Sequence, residues 1–214
     1  MKERTDRPYT SEQLKTAKAS ILSSAPPQGR GAREYIQQLK IHSEDLEGKR
    51  VLDLGAGNGL RFARELPSEG IRAEVVSYSP AFFDGKVWNE EGGREHISDP
   101  LVVAGMAEEL PFAENSFDTV TMFYVTMYFR DDRRMHTCLS EIVRVLKPKG
   151  VAYIGPLVNI KKEENENNDT NRRWLNQQKV AAVLEGKAIA SWEEVSRIKN
   201  KAETYTLRIV KNKE

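Results

Sequence analysis

One segment constrains the fold more than any other: a short apolar run that ends directly in a turn with glycine at every second position. Residues Asp53 to Gly59 have the sequence Asp-Leu-Gly-Ala-Gly-Asn-Gly. Glycine allows a sharp turn and a close approach of the backbone to a ligand. The dinucleotide fingerprint Gly-x-Gly-x-x-Gly differs, because Leu60 stands at its third glycine position. We expect a strand-to-helix turn that touches a cofactor other than NAD; a tight turn that binds nothing is the alternative.

From Arg50 onward the sequence alternates short apolar runs with stretches of helical periodicity, which is typical of a parallel sheet covered by helices. The clearest helix ends before Pro148 and Gly150, which turn the chain into the next strand. Its apolar face consists of Met135, Cys138, Leu139, Ile142, Val143 and Leu146. Strands are predicted at residues 50–54, 73–77, 101–104, 118–123 and 151–154, with the clearest helix at residues 132–146.

The segments after the fifth predicted strand have weaker patterns. The polar residues 161–169 are predicted to form a mobile loop, followed by a helix at residues 171–184. The alternating run 204–210 predicts a half-buried antiparallel strand. Residues 191–199 leave two alternatives open, a short helix that begins with a capping box or one arm of a hairpin with the last strand.

Composition excludes several functional classes. The chain has 33 basic and 32 acidic residues, so no overall field attracts nucleic acid or an anionic membrane. The single cysteine, Cys138, allows no internal disulfide and no zinc site built from cysteine pairs, which indicates the reducing cytoplasm. His42, His96 and His136 share no ligand spacing, so we expect surface histidines and no metal. No apolar run approaches about twenty residues, so no membrane span is expected.

Five blocks of sequence, in order, resemble the class I S-adenosylmethionine-dependent methyltransferases, in particular the branch of small-molecule and quinone methylating enzymes. The blocks are Val-Leu-Asp-Leu-Gly-Ala-Gly-Asn-Gly at 51–59, Val-Val-Ser-Tyr-Ser-Pro at 75–80, Gly-Met-Ala-Glu-Glu-Leu-Pro-Phe at 105–112, Ser-Phe-Asp-Thr-Val at 116–120 and Leu-Lys-Pro-Lys-Gly at 146–150. The resemblance implies an α/β fold with a Rossmann-like, doubly wound, seven-stranded sheet. This sheet is mostly parallel, and its last strand is antiparallel.

The same resemblance divides the chain in two. A methyltransferase domain is expected over residues 49–214. Residues 1–48 would form an N-terminal helical extension or lid, with helices predicted at residues 11–22 and 32–39 and a breaker stretch rich in Ser, Pro and Gly between them.

The cofactor implied by the resemblance is S-adenosyl-L-methionine. The glycine turn would hold its amino-acid end, and residues that follow the next three strands would border the rest. The expected cofactor contacts are Asp53, Gly55, Ala56, Gly57, Asn58, Gly59, Ser77, Tyr78, Met106, Ala107 and Phe123.

Two positions depart from the family pattern. The family places an acidic residue at the end of the second strand, where it accepts hydrogen bonds from ribose, and we assign Ser77 to that place. The family also places an aspartate before Ala107, and this chain has Met106. Serine replaces only part of a carboxylate, and methionine accepts no strong hydrogen bond. These departures support the alternative of a catalytically weakened methyltransferase fold that serves as a binding or regulatory partner.

The methyl acceptor is expected to be a small molecule. An aromatic, apolar segment follows the fourth predicted strand, where relatives border the acceptor, and Tyr124, Met127 and Tyr128 are the candidate substrate contacts. Ordinary core packing is the alternative for these residues. An exocyclic-amine nucleic-acid methylase is disfavoured, because no element resembling Asn-Pro-Pro-Tyr occurs here. The sequence names no catalytic base, acceptor or oligomeric state.

Overall fold

A computed structural model describes residues 29–57, 59–88, 94–97, 99–129, 132–160, 177–198 and 202–213. The strands in these ranges are β1 (Arg50–Leu54), β2 (Glu74–Ser79), β3 (Lys86–Trp88), β4 (Arg94–His96), β5 (Val102–Ala104), β6 (Phe117–Phe123), β7 (Leu146–Ile160), β8 (Ala188–Ile198) and β9 (Ala202–Lys211). Seven of them form one sheet in the order β5-β2-β1-β6-β7-β9-β8.

The pairing within this sheet confirms the predicted fold class. β1 lies parallel to β2 and β6, β2 parallel to β5, and β6 parallel to β7. β9 is inserted antiparallel between β7 and β8. β1 illustrates why these segments are strands, because four of its five residues are buried, as expected for a parallel strand covered on both faces.

The helices in the described ranges are α1 (Ala32–Gln38), α2 (Arg61–Glu65), α3 (Asp132–Val145) and α4 (Gln177–Leu184). The predicted helix at 132–146 is confirmed, and its apolar residues are buried. α1 confirms the predicted helix at 32–39, and α4 the second half of the one at 171–184. The helix predicted at 11–22 and the loop predicted at 161–169 lie outside the described residues. No helix among the described residues is long and apolar enough to cross a membrane.

The connection after β2 contains short elements in its described part. A short 3-10 turn, Pro80–Asp84, is followed by β3 and β4, which form a small antiparallel sheet of their own. Gly85 ends the 3-10 turn with a φ of 69°, in the left-handed region that glycine adopts readily.

The open question about residues 191–199 is decided in favour of the hairpin. β8 pairs with β9 along most of its length, with Ser191 opposite Arg208 and Trp192 opposite Leu207. The alternating sequence of β9 makes it a strand with Leu207 and Ile209 buried in the core. β8 then pairs with the backbone of this strand.

Residues just before β1 belong to the main hydrophobic packing. Tyr35 and Leu39 from α1 lie in one cluster with Val51 of β1 and Phe62 of α2. The ring of Tyr35 stacks on Phe62 at 4.3 Å between centroids and meets Phe123 edge-on at 4.6 Å. The boundary between residues 48 and 49 therefore stays a prediction, and the described residues before it pack as part of the same core.

Replacing Tyr35 by alanine tests whether α1 is integral to the fold. The variant removes both aromatic contacts and leaves a cavity, so the free energy of unfolding should fall by about 3 to 5 kcal/mol. The measurement is urea unfolding followed by circular dichroism. The control is Gln37→Ala on the exposed side of the same helix, which should change stability by less than about 0.5 kcal/mol. Equal effects of the two variants would show that α1 is not docked.

Candidate cofactor site

The glycine turn begins at the carboxyl end of β1. Gly55 and Gly57 adopt φ values of 79° and 67°, which a side chain would strain. The N–H of Gly55 donates to the carbonyl of Tyr78 at 2.7 Å and fixes the turn against β2. A Cβ on Gly55 would clash with Cγ2 of Val125, and one on Gly57 would lie 3.2 Å from Cα of Gly29.

The surroundings of the turn differ from residue to residue. Gly55 and Gly57 are half-buried, whereas Ala56 and Gly59 are buried. Asn58 lies outside the described residues. In the described part of the turn, the half-buried positions Gly55 and Gly57 present backbone rather than side chains, as close approach of a ligand requires.

Asp53 lies beneath the turn with no exposed surface. Thr121 Oγ1 donates to its Oδ1 at 3.0 Å, and the Tyr35 hydroxyl donates to its Oδ2 at 3.4 Å. Burial raises the pKa of Asp53 to about 7, against the smaller lowering effect of these two hydrogen bonds. Asp53 thus supports the turn from below and is not itself accessible to a substrate.

The assignment of Ser77 to the end of the second strand is wrong. β2 continues to Ser79, which pairs with Ala104 of β5, whereas Ser77 pairs with Asp53 and Val102 inside the sheet. Ser79 is the residue at the carboxyl edge, and its Oγ accepts a hydrogen bond from the N–H of Ala81 at 3.1 Å. Ser77 instead lines a cleft of about 330 Å³ beside α2. Both side chains are neutral, so the edge still lacks a carboxylate.

Tyr78 points away from the turn. Its hydroxyl donates to the carbonyls of Met106 and Glu109, each at 3.1 Å, and its ring belongs to the core on the opposite face of the sheet. A Cβ on Gly105 would clash with this ring, which explains glycine there. Tyr78 therefore reaches the turn only through its main-chain carbonyl, and it shapes the loop that carries Met106 and Ala107, both of which are half-buried.

The end of β6 brings aromatic side chains to the same edge. Phe123 is buried, and the half-buried Tyr124 adopts a φ of 59°, a left-handed conformation unusual for tyrosine. The Tyr124 hydroxyl donates to Oε1 of Gln38 at 3.4 Å. Tyr128 follows in a short 3-10 turn and is half-buried, and the side chain of Met127 lies outside the described part of the structure.

Arg30 is a site residue that the sequence analysis missed. Its guanidinium carbon lies 3.7 Å from the centroid of the Tyr124 ring and 5.6 Å from that of Phe123. The neighbouring Gly29 packs against Ala56 and Gly57 of the turn. In the sequence, the feature that could have identified Arg30 is its position between two glycines, Gly29-Arg30-Gly31. That stretch was interpreted only as a helix breaker.

The strand register shows which predicted residues meet. Leu54 pairs with Tyr78 and with Met122, so Gly55, Ser79 and Phe123 follow at the same level of the carboxyl edge. Ala104 joins this row through its pairing with Ser79. In parallel sheets this edge is where ligands bind.

The histidines lie apart from this edge. His42 and His96 are exposed, and His136 on α3 is half-buried. Within the described ranges, no group of three His, Cys, Asp or Glu side chains could hold a metal ion.

Known proteins are similar in sequence to the part of the chain that contains this edge. Residues 52–154 match a family described as "Methyltransferase domain". A demethylmenaquinone methyltransferase from Beutenbergia cavernae is 42% identical over 103 residues, which cover 48% of this chain and 38% of that protein. The chain spans less than half the length of this and several other curated relatives that it matches.

Two solved structures share the fold. Phosphoethanolamine N-methyltransferase 2 from Haemonchus contortus, in complex with S-adenosyl-L-methionine, has a TM-score of 0.54 at 17% identity, covering 99% of this chain and 59% of that chain. The N-methyltransferase NodS from Bradyrhizobium japonicum, in complex with S-adenosyl-L-homocysteine, has a TM-score of 0.52 at 15% identity, covering 94% and 97%. At these identities the likeness establishes the fold alone.

The pKa of Asp53 predicts a pH dependence of stability. Its folded-state pKa of about 7 lies above the unfolded value of about 3.9, so the stability present at pH 4 is lost as pH rises towards 7. Asp53→Asn removes this loss. The difference in free energy of unfolding, variant minus parent, should therefore increase from pH 4.5 to pH 8, by on the order of 4 kcal/mol.

The control is Asp118→Asn. Burial acts to raise the pKa of Asp118, but hydrogen bonds from Lys147 and the Arg50 N–H outweigh it and lower that pKa overall. The contribution of Asp118 is then complete above about pH 4, so its variant should differ from the parent by a constant amount between pH 5 and pH 8. Urea unfolding across this range measures both differences. A constant difference for Asp53→Asn would contradict the assigned pKa.

Proposed function

We propose that this chain, whose residues 52–154 match a methyltransferase domain, is a class I methyltransferase that binds S-adenosyl-L-methionine and transfers its methyl group to a small molecule. The observation that carries the proposal is the row of Gly55, Ser79, Ala104 and Phe123 along one edge of the sheet. In this row the glycine turn lies beside the ends of β2, β5 and β6, where the family resemblance implies the cofactor contacts.

The residues of this edge fit the amino-acid end of the cofactor. The accessible points of the turn, Gly55 and Gly57, carry no side chain and let a polar group approach the backbone. Towards the ribose position, Ser79 offers a hydroxyl in place of a carboxylate. Ser79 is buried, and its hydroxyl oxygen accepts a hydrogen bond from the N–H of Ala81.

The bound cofactor would supply an electrophilic methyl group on a positively charged sulfur. The contribution of the protein is positioning, which can provide most of the acceleration of a displacement. The buried ring of Phe123 and the half-buried ring of Tyr124 would help to exclude water from this edge. Asp53 is not a general base for the acceptor, because it has no exposed surface.

We infer a planar or lipophilic acceptor, bordered by Tyr124, Met127 and Tyr128. Tyr124 and Tyr128 are half-buried, so each has accessible ring surface at the edge. The relative from B. cavernae is named for a quinone substrate, which supports this class. The balanced charge of the chain argues against nucleic acid as the acceptor. The single cysteine, which is buried, supports a cytoplasmic location.

A second candidate function is a weakened methyltransferase fold that binds the cofactor without catalysis and serves as a binding or regulatory partner. The observation that favours it is the neutral edge of β2, where the position of the family's acidic residue is occupied by Ser79. Met106 likewise offers no side-chain acceptor of useful strength. Affinity for the cofactor and transfer of its methyl group separate the two candidates.

Cofactor binding is tested by thermal unfolding with different ligands. S-adenosylhomocysteine at one hundred times its dissociation constant should stabilise the protein by about 2.7 kcal/mol, because it binds only the folded state. NAD and NADP should leave the melting temperature unchanged. Stabilisation by NAD alone would overturn the assignment.

A matched pair of glycine variants locates the ligand in the same experiment. Gly57→Ala and Gly48→Ala strain the backbone equally, since the two φ values are 67° and 68°. The added Cβ has no atom near it at Gly48, whereas at Gly57 it lies 3.2 Å from Cα of Gly29, beside the proposed ligand position. Gly57→Ala should weaken binding of S-adenosylhomocysteine by at least about tenfold, and Gly48→Ala should not change it. Equal affinities in the two variants would place the ligand elsewhere.

Methyl transfer distinguishes the enzyme from the weakened scaffold. The protein is incubated with S-adenosyl-L-methionine carrying a labelled methyl group, together with reduced naphthoquinones or ethanolamine-type amines. We expect label in the quinol fraction, because the aromatic edge suits a planar acceptor. Tight cofactor binding without transfer to either class would favour the second candidate.

A further inference from the structure

Arg30 is held at the edge of the site by contacts that the proposed function has not used. The carbonyl of Gly29 accepts from Nη1 of Arg61 at 3.3 Å. The N–H of Ala32 donates to Oε2 of Glu65 at 3.1 Å. Both partners lie on α2, directly after the glycine turn, and Arg61 and Glu65 pair with each other at 2.7 Å. The backbone on either side of Arg30 is therefore attached to the helix that the turn leads into.

The side chain of Arg30 lies over an aromatic ring. Its guanidinium carbon is 3.7 Å from the centroid of Tyr124, which is a close cation–π contact. Tyr124 is brought beneath it by the left-handed turn that follows Phe123. A contact of this kind fixes a guanidinium without consuming its hydrogen-bond donors.

The charge of Arg30 has no fixed counterion among the described residues. None of the ion pairs in the described ranges involves Arg30. The carboxylate beneath the turn, Asp53, is fully buried and bonded to Thr121 and Tyr35. A half-buried cation beside a backbone cradle is suited to an anionic group on a ligand.

We propose that Arg30 binds the α-carboxylate at the amino-acid end of the cofactor and so selects ligands that carry this group. The inference rests on the proposed function and assigns a residue that recognises one part of the cofactor. Arginine presents a planar fork that matches a carboxylate with two parallel hydrogen bonds. Gly29 packs on Gly57, so the cation stands beside the part of the turn that the amino-acid end would approach.

The test compares two ligands that differ only in the carboxylate. S-adenosylhomocysteine carries it, and S-adenosyl-3-thiopropylamine is the same molecule without it. Calorimetric titration should show that Arg30→Met weakens binding of S-adenosylhomocysteine by roughly 10- to 100-fold. Binding of S-adenosyl-3-thiopropylamine should change by less than about twofold. Arg30→Lys keeps the charge without the fork and should lie between the parent and Arg30→Met.

The control variant is Arg33→Met, which removes an arginine of the same segment that is exposed and paired with Glu69. It should leave both affinities unchanged. Melting temperatures without ligand establish that each variant is folded. If Arg30→Met weakens both ligands equally, or neither, while the parent binds S-adenosylhomocysteine, the role of Arg30 is overturned and the proposed function stands. If the parent binds neither ligand, both are overturned.

Discussion

The site depends on the buried carboxylate of Asp53. Its hydrogen bonds with Tyr35 and Thr121 join β1 to α1 and to β6 directly beneath the glycine turn. Burial raises the pKa of this carboxyl, so its ionised form is unfavourable there and the two donors offset only part of that cost. Tyr35 also stacks on Phe62, which extends the same arrangement to α2. The turn is thereby fixed from below by α1 and β6, which lie before and after it in the sequence, and by contact with α2, which follows it directly.

Structure that is decided by local pattern could be predicted from the sequence. β1 and β6 were predictable because short runs rich in apolar and β-branched residues are typical of strands buried on both faces of a parallel sheet. α3 was predictable because one apolar face recurs at helical spacing and proline and glycine follow it. β9 was predictable because its sequence alternates, as expected for a strand with one buried face. Its antiparallel direction agrees with the fold that the family resemblance implied.

Features decided by pairing between distant segments could not be predicted in the same way. The apolar pattern predicted a strand that ends at Ser77, yet β2 continues because Ser79 pairs with Ala104 of β5. The glycines on either side of Arg30 mark it as unusual, but its contact with Tyr124 joins segments that are distant in sequence and could not be predicted from them. The choice of hairpin over helix for residues 191–199 likewise came from β9, which offered a complete partner strand.

The two ends of the proposed cofactor site differ in electrostatic character, and this difference bears on which contacts give affinity. At the ribose position Ser79 is neutral, and a neutral hydrogen bond contributes about 0.5 to 1.5 kcal/mol, compared with about 1.5 to 3 kcal/mol for one to a charged group. At the amino-acid end Arg30 supplies such a charge. A site of this kind compensates for a weak ribose contact by a strong carboxylate contact. It would therefore discriminate against adenosine-like ligands without an amino-acid group more sharply than a site whose affinity comes mainly from ribose.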